Sequence, residues 1–145
     1  MSESMTVGAA AGDVYQAQGY LSPIRIMSEA GAGQLADKIA GIYDDHGVEA
    51  KGLLGSNAHL IFPELFDLVC NPAILDRVEE VLGPDILCWS AAFFSKPAHD
   101  PSFVSWHQDL TYWGLEPADI ITAWVALTPS TKESGCMRVV PGTHN

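Results

Sequence analysis

Ser105-Trp106-His107-Gln108-Asp109-Leu110-Thr111-Tyr112-Trp113-Gly114 is the stretch on which the fold and chemistry of this chain turn. A His and an Asp two apart on an extended strand point to one face, because side chains there alternate with a period of two. An imidazole and a carboxylate on one face are two of the three ligands of a facial triad, which holds non-haem Fe(II) and leaves positions open. The bare spacing is a weak signal, since an ordinary surface strand also carries such pairs. The setting strengthens it: Trp106, Leu110, Tyr112 and Trp113 crowd aromatic and apolar bulk around the pair, as a water-excluding metal pocket requires.

Working outward, the segments on either side read as strands. Ile86 to Phe94 is an apolar run of strand length that Lys96-Pro97 ends, and Phe103 to Asp109 is the strand carrying the pair. After a turn at 114–118, Ile121, Ala123, Val125 and Leu127 alternate with Thr122, Trp124 and Ala126, and Cys136 to Val140 forms a last strand before Pro141-Gly142. The earlier half reads as helix. Ser28 offers an N-cap to a helix from Glu29 to Asp45, ended by His46-Gly47. Residues 48–57 are glycine-rich and loop-like, and Pro63 to Leu68 suits one or two helical turns. Asn71 caps a helix with Pro72 at its first position and Ile74, Leu75, Val78, Val81 and Leu82 on one side, closed by Gly83-Pro84. Tyr15 to Ile26 reads as a short extended piece, and residues 1–12 as a loose tail. Helices followed by antiparallel-type strands predict an α+β domain ending in a sandwich or barrel.

Composition narrows the function. The 145 residues make one domain, and a hydrophobic content of 48% is ample for a core. A formal net charge of −11 argues against nucleic acid, whose binding rests on neutralising phosphates with Lys and Arg. No apolar run is long enough to span a membrane, and the N-terminus lacks a leader pattern, so the expected location is cytoplasmic. The three cysteines, Cys70, Cys88 and Cys136, have no metal-like spacing and read as reduced core thiols. His46 suits a helix C-terminus, His59 reads as structural, His99 as solvated in a loop, and Lys96 as an exposed strand-end residue.

From Gly83 onward the chain resembles the phytanoyl-CoA dioxygenase family of Fe(II)- and 2-oxoglutarate-dependent oxygenases. The resemblance rests on Leu82-Gly83-Pro84-Asp85-Ile86, Phe94-Ser95-Lys96-Pro97, Trp106-His107-Gln108-Asp109, Thr122-Ala123-Trp124-Val125-Ala126-Leu127, Glu133-Ser134-Gly135-Cys136-Met137 and Val140-Pro141-Gly142-Thr143-His144. Asn71-Pro72-Ala73-Ile74-Leu75 matches more loosely. The resemblance implies a double-stranded β-helix, or jelly roll, preceded by helices. It implies that residues 13–145 are the N-terminal portion of one such domain, truncated at its C-terminus. It implies Fe(II) held by His107 and Asp109, 2-oxoglutarate as co-substrate near Gln108 and Trp124, dioxygen, and a small-molecule substrate that is hydroxylated. Related halogenases carry a small residue where Asp109 stands, so its carboxylate favours hydroxylation. The family's distal His, and the Arg that pairs with the 5-carboxylate of 2-oxoglutarate, lie beyond the Pro-Gly-x-His turn. His144 matches the turn histidine rather than the distal ligand, and Arg138 is a weak anchor. The rival readings are a non-catalytic ligand-binding module or pseudoenzyme, and a cupin-like protein holding another metal such as Zn through His107, Asp109 and His144.

Overall fold

The computed structural model describes residues 10–117 and 119–144. Six α-helices occur there: α1 (Ala11–Gln18), α2 (Glu29–His46), α3 (Ala50–Leu53), α4 (Pro63–Val69), α5 (Pro72–Leu82) and α6 (Leu110–Trp113). Short 3-10 turns at Gly47–Glu49 and Ala58–Leu60 flank α3.

The helices begin where their caps place them. Ser28 Oγ accepts from the Gly31 amide at 3.1 Å, satisfying one of the free donors of the first turn of α2. Asn71 does the same for α5, accepting from Ala73 N at 2.9 Å with Pro72 next to it. The Asn71 amide also donates to the Ile26 carbonyl at 3.2 Å, tying the 20–28 connection to the start of α5. The α5 positions expected in the core share one face but are only half-buried.

Two corrections concern the first half. Residues 11–18 form α1 rather than a tail end and an extended piece, although the helix has no side-chain N-cap. It exists because it packs on α5: a Cβ on Gly12 would come within 2.9 Å of the Glu80 carbonyl, so only glycine permits that approach. The expected tail otherwise lies outside the described residues. The glycine-rich stretch after α2 is not a loop throughout, since it contains α3, whose Ala50 is fully buried.

The core lies in this helical half. Ile39, Leu54, Ala58 and Leu65 are its buried centre, with Leu35, Ile42, Tyr43 and Phe62 packed around them. Two residues of the second half, Phe93 and Leu127, pack against the same cluster. Backbone bonds pin that contact, from Ala58 N to Ala91 O at 3.2 Å and from Phe93 N to Leu54 O at 3.0 Å.

Beyond α5 the described residues form no β-strand: segments 86–94, 103–109, 121–127 and 136–140 run without a ladder. A strand exists only with a neighbour for its amides and carbonyls, so alternation alone cannot create one. The same segments expose large apolar side chains, among them Leu87 at 85%, Phe94 at 80% and Phe103 at 83%. The cysteines need a correction as well: Cys70 and Cys88 are exposed and Cys136 half-buried, so none is a core thiol. Burial nevertheless pushes the Cys88 thiol above its ordinary value. No helix among the described residues is long and apolar enough to cross a membrane.

Candidate functional site

His107 and Asp109 meet, but a bend and turn bring them together rather than strand alternation. Asp109 has helical backbone angles and sits immediately before α6, so the chain folds back at the motif instead of continuing extended. His107 Nε2 lies 3.1 Å from Asp109 Oδ1. His107 Nδ1 lies 2.7 Å from the Ser105 carbonyl. A carbonyl can only accept, so Nδ1 carries a proton and Nε2 is the atom left to face a metal or the carboxylate. The Ser105 carbonyl, and after it the charge and hydrogen bond of Asp109, hold His107 above the usual imidazole value, against a desolvation effect of opposite sign.

The other carboxylate oxygen is held by a residue that sequence pattern did not single out. Thr122 Oγ1 donates to Asp109 Oδ2 at 2.5 Å. In the sequence Thr122 is one polar residue in an alternating run; only its meeting with Asp109 across the fold reveals its use. Both ring nitrogens of His107 and both oxygens of Asp109 therefore have defined roles.

Of the nearby aromatics Tyr112 is the one that meets the pair, and Trp106, Tyr112 and Trp124 all stay exposed. The Tyr112 ring meets the His107 ring edge-on, with centroids 5.8 Å apart. Trp106 is 66% exposed and carries the Arg138 guanidinium over its face at 5.9 Å. Arg138 is thus occupied on an exposed aromatic. Trp124 is partly exposed and makes no side-chain hydrogen bond among the described residues. Gln108 turns away from the pair, donating from Nε2 to the Thr143 carbonyl at 2.6 Å.

His144 does not join the pair. Its ring stands edge-on to Tyr15 of α1 at 6.1 Å, and neither ring nitrogen, though shielded from solvent, has a hydrogen-bond partner among the described residues. No group of three His, Cys, Asp or Glu side chains among the described residues could hold a metal ion, so a zinc site built from His107, Asp109 and His144 is not formed. His59 is buried at 6% exposure, and its Nδ1 has no hydrogen-bond partner among the described residues.

The spacing of the two donor atoms fits a metal between them. Two ligands in cis about a metal with bonds near 2.1 Å stand about 3 Å apart, and the observed separation is 3.1 Å. The Ser105 and Thr122 contacts are of the kind that would fix the tautomer of a ligating imidazole and the orientation of a ligating carboxylate.

A family model described as phytanoyl-CoA dioxygenase (PhyH) matches residues 15–145, which is nearly all of the chain. The chain belongs to the phytanoyl-CoA dioxygenase family. Among its relatives is a probable phytanoyl-CoA dioxygenase of Caenorhabditis elegans, 35% identical over 89 residues, covering 57% of this chain and 28% of that protein. The peroxisomal phytanoyl-CoA dioxygenase of Homo sapiens is 38% identical over 85 residues, covering 56% of this chain and 25% of its own length. The L-proline trans-4-hydroxylase of Streptomyces griseoviridis is 27% identical over 142 residues, covering 90% of this chain and 53% of that enzyme. The matches thus span between about a quarter and about half of these relatives. No solved structure matches significantly.

Proposed function

We propose that this chain forms part of an Fe(II)- and 2-oxoglutarate-dependent dioxygenase that hydroxylates a small molecule. The observation that carries the proposal is the His107–Asp109 pair at ligand spacing, with its non-ligating atoms already satisfied. Family membership and relatives named as dioxygenases and as a proline hydroxylase supply the reaction class.

In this assignment His107 Nε2 and Asp109 Oδ1 hold the iron. Bound iron would supply the activation of dioxygen, coupled to oxidative decarboxylation of 2-oxoglutarate to succinate and carbon dioxide. The Ser105 carbonyl keeps the His107 proton on Nδ1, so that Nε2 presents a lone pair once its own proton has gone to water. Thr122 neutralises part of the charge on Oδ2 and stops the carboxylate from rotating. Trp106, Tyr112 and Trp124, exposed in this structure, would supply apolar walls near the co-substrate, and Gln108 links the motif to the 141–144 turn. The carboxylate at Asp109 favours hydroxylation over halogenation in this reading. Among the described residues no third His, Cys, Asp or Glu joins the pair to complete a metal site. The jelly-roll core belongs to the same proposal: the extended segments would be strands of that barrel, laddered once their neighbours are present.

The test is iron-dependent conversion of 2-oxoglutarate to succinate by the full-length native gene product, wild type against His107→Ala. Complete loss in the variant supports the assignment. Turnover unchanged in the variant overturns the His107 assignment, and no turnover in either protein leaves a ligand-binding module as the better reading.

A further inference from the structure

Four contacts connect the two ends of the described chain to each other and to Gln108, the residue between the candidate ligands. The Gly142 amide donates to the Gln18 carbonyl at the end of α1, at 2.9 Å. The His144 ring is wedged against Tyr15 and lies over Gly19, where a Cβ would come within 2.5 Å of its Nδ1. Gly19 also has φ +82°, a left-handed backbone that side chains disfavour. Between these anchors, the Thr143 carbonyl accepts from Gln108, the residue between His107 and Asp109. Thr143 Oγ1 donates to the Val140 carbonyl at 2.9 Å, which stiffens the turn itself.

The chain of contacts is short and has no slack. Gly19 admits the His144 ring, and the ring seats the 141–144 turn. The turn presents one carbonyl, and that carbonyl holds the side chain between the two ligands.

We propose that α1 and the 141–144 turn form a latch that positions the His107–Asp109 pair through Gln108, making Gln108, Gly19 and His144 positioning residues for the ligand pair. The proposal rests on the metal assignment above only for its consequence, which is a weaker metal site when the latch is loosened. The mechanical coupling stands independently of it.

The experiment has two arms on the intact protein. In the first, amide proton–nitrogen spectra of the metal-free protein are compared for wild type, Gly19→Ala and Gln108→Leu. The expected result is that Gly19→Ala moves the Gln108 side-chain amide and the backbone amides of 107–109. Reciprocally, Gln108→Leu should move those of Gln18, Gly19 and Thr143. If Gly19→Ala does not fold, the reciprocal shift in Gln108→Leu decides. Shifts confined to the neighbourhood of each substitution overturn the latch. In the second arm Co(II), a spectroscopic stand-in for Fe(II), is titrated anaerobically into the same proteins, with His107→Ala and Gly33→Ala for reference. Gly33 has nothing within 4 Å of an added Cβ and should bind as wild type. Loss of binding in His107→Ala, with Gln108→Leu weakened about tenfold or more and its cobalt bands shifted, supports the latch. Gln108→Leu binding like wild type while His107→Ala does not bind overturns it. Equal binding by wild type and His107→Ala overturns the metal assignment instead, and the amide shifts then decide the latch alone.

Discussion

Thr122 and Asp109 show what one hydroxyl can do at a site of this kind. Its bond to Oδ2 leaves Oδ1 facing His107, so Thr122→Val removes an outer partner while keeping the side chain's shape. The expected outcome is a loss of about 10- to 100-fold in metal affinity, read by Co(II) titration, with the melting temperature little changed. Thr122→Ser should retain most of the affinity. The thiols give a second expectation at this scale. Cys70 and Cys88 are exposed and Cys136 is half-buried, so a thiol-reactive dye should label the first two rapidly in the native protein and Cys136 more slowly. Peptide mapping by mass checks it. Because burial pushes the Cys88 thiol up, its labelling rate should still be climbing with pH where an ordinary thiol has levelled off. The pairing of His107 with Asp109 was legible in their spacing, because residues two apart meet in several local conformations. Thr122 was not, because its use depends on where another segment is brought.

At the scale of elements, capping decided more than composition. α2 and α5 were legible because Ser28 and Asn71 announce their starts, and periodic apolar residues follow. Asn71→Ala should cost about 1 kcal/mol, toward 2 given its second bond to Ile26, measured by urea unfolding. α1 and α3 were missed because neither start carries a side-chain cap or a proline; packing on α5 and burial of Ala50 decide them. α2 and α4 are joined across their surface by Lys38 Nζ and Glu64 Oε1 at 2.6 Å. The hydrogen bond from Lys38 holds the Glu64 carboxyl below its ordinary value. A carboxyl lowered on folding contributes stability above its unfolded value, and that contribution is lost as pH falls through the folded value. Glu64→Gln should therefore narrow its stability difference from wild type as the solution is acidified below the ordinary glutamate range, in paired urea titrations. The pair is exposed, so the effect is small at all pH values and weaker in salt.

Across the whole molecule the two halves differ in what holds them. The helical half has a buried centre of its own, whereas 86–140 is anchored chiefly through Phe93, Leu127 and two backbone bonds. Leu87, Phe94, Phe103 and Trp106 stand exposed along it. An apolar surface of that kind should bind a hydrophobic dye such as ANS strongly. The chain's net charge of −11 opposes self-association, so light scattering from this chain should rise with added salt, the reverse of what an electrostatic contact would do. The sequence by itself determined the family motif order, the capped helices, the acidity and the identity of the two ligand candidates, all of which rest on residue type or on neighbours a few positions apart. Only the tertiary structure decided that a bend rather than a strand joins His107 to Asp109. It alone decided that Thr122 holds the carboxylate, and that His144 packs on α1 instead of completing a metal site. Those outcomes depend on contacts between segments far apart in the chain, and a linear pattern carries no distance between such segments. Extended runs show the same limit, since alternation specifies which side chains share a face while a ladder needs a partner to accept its hydrogen bonds.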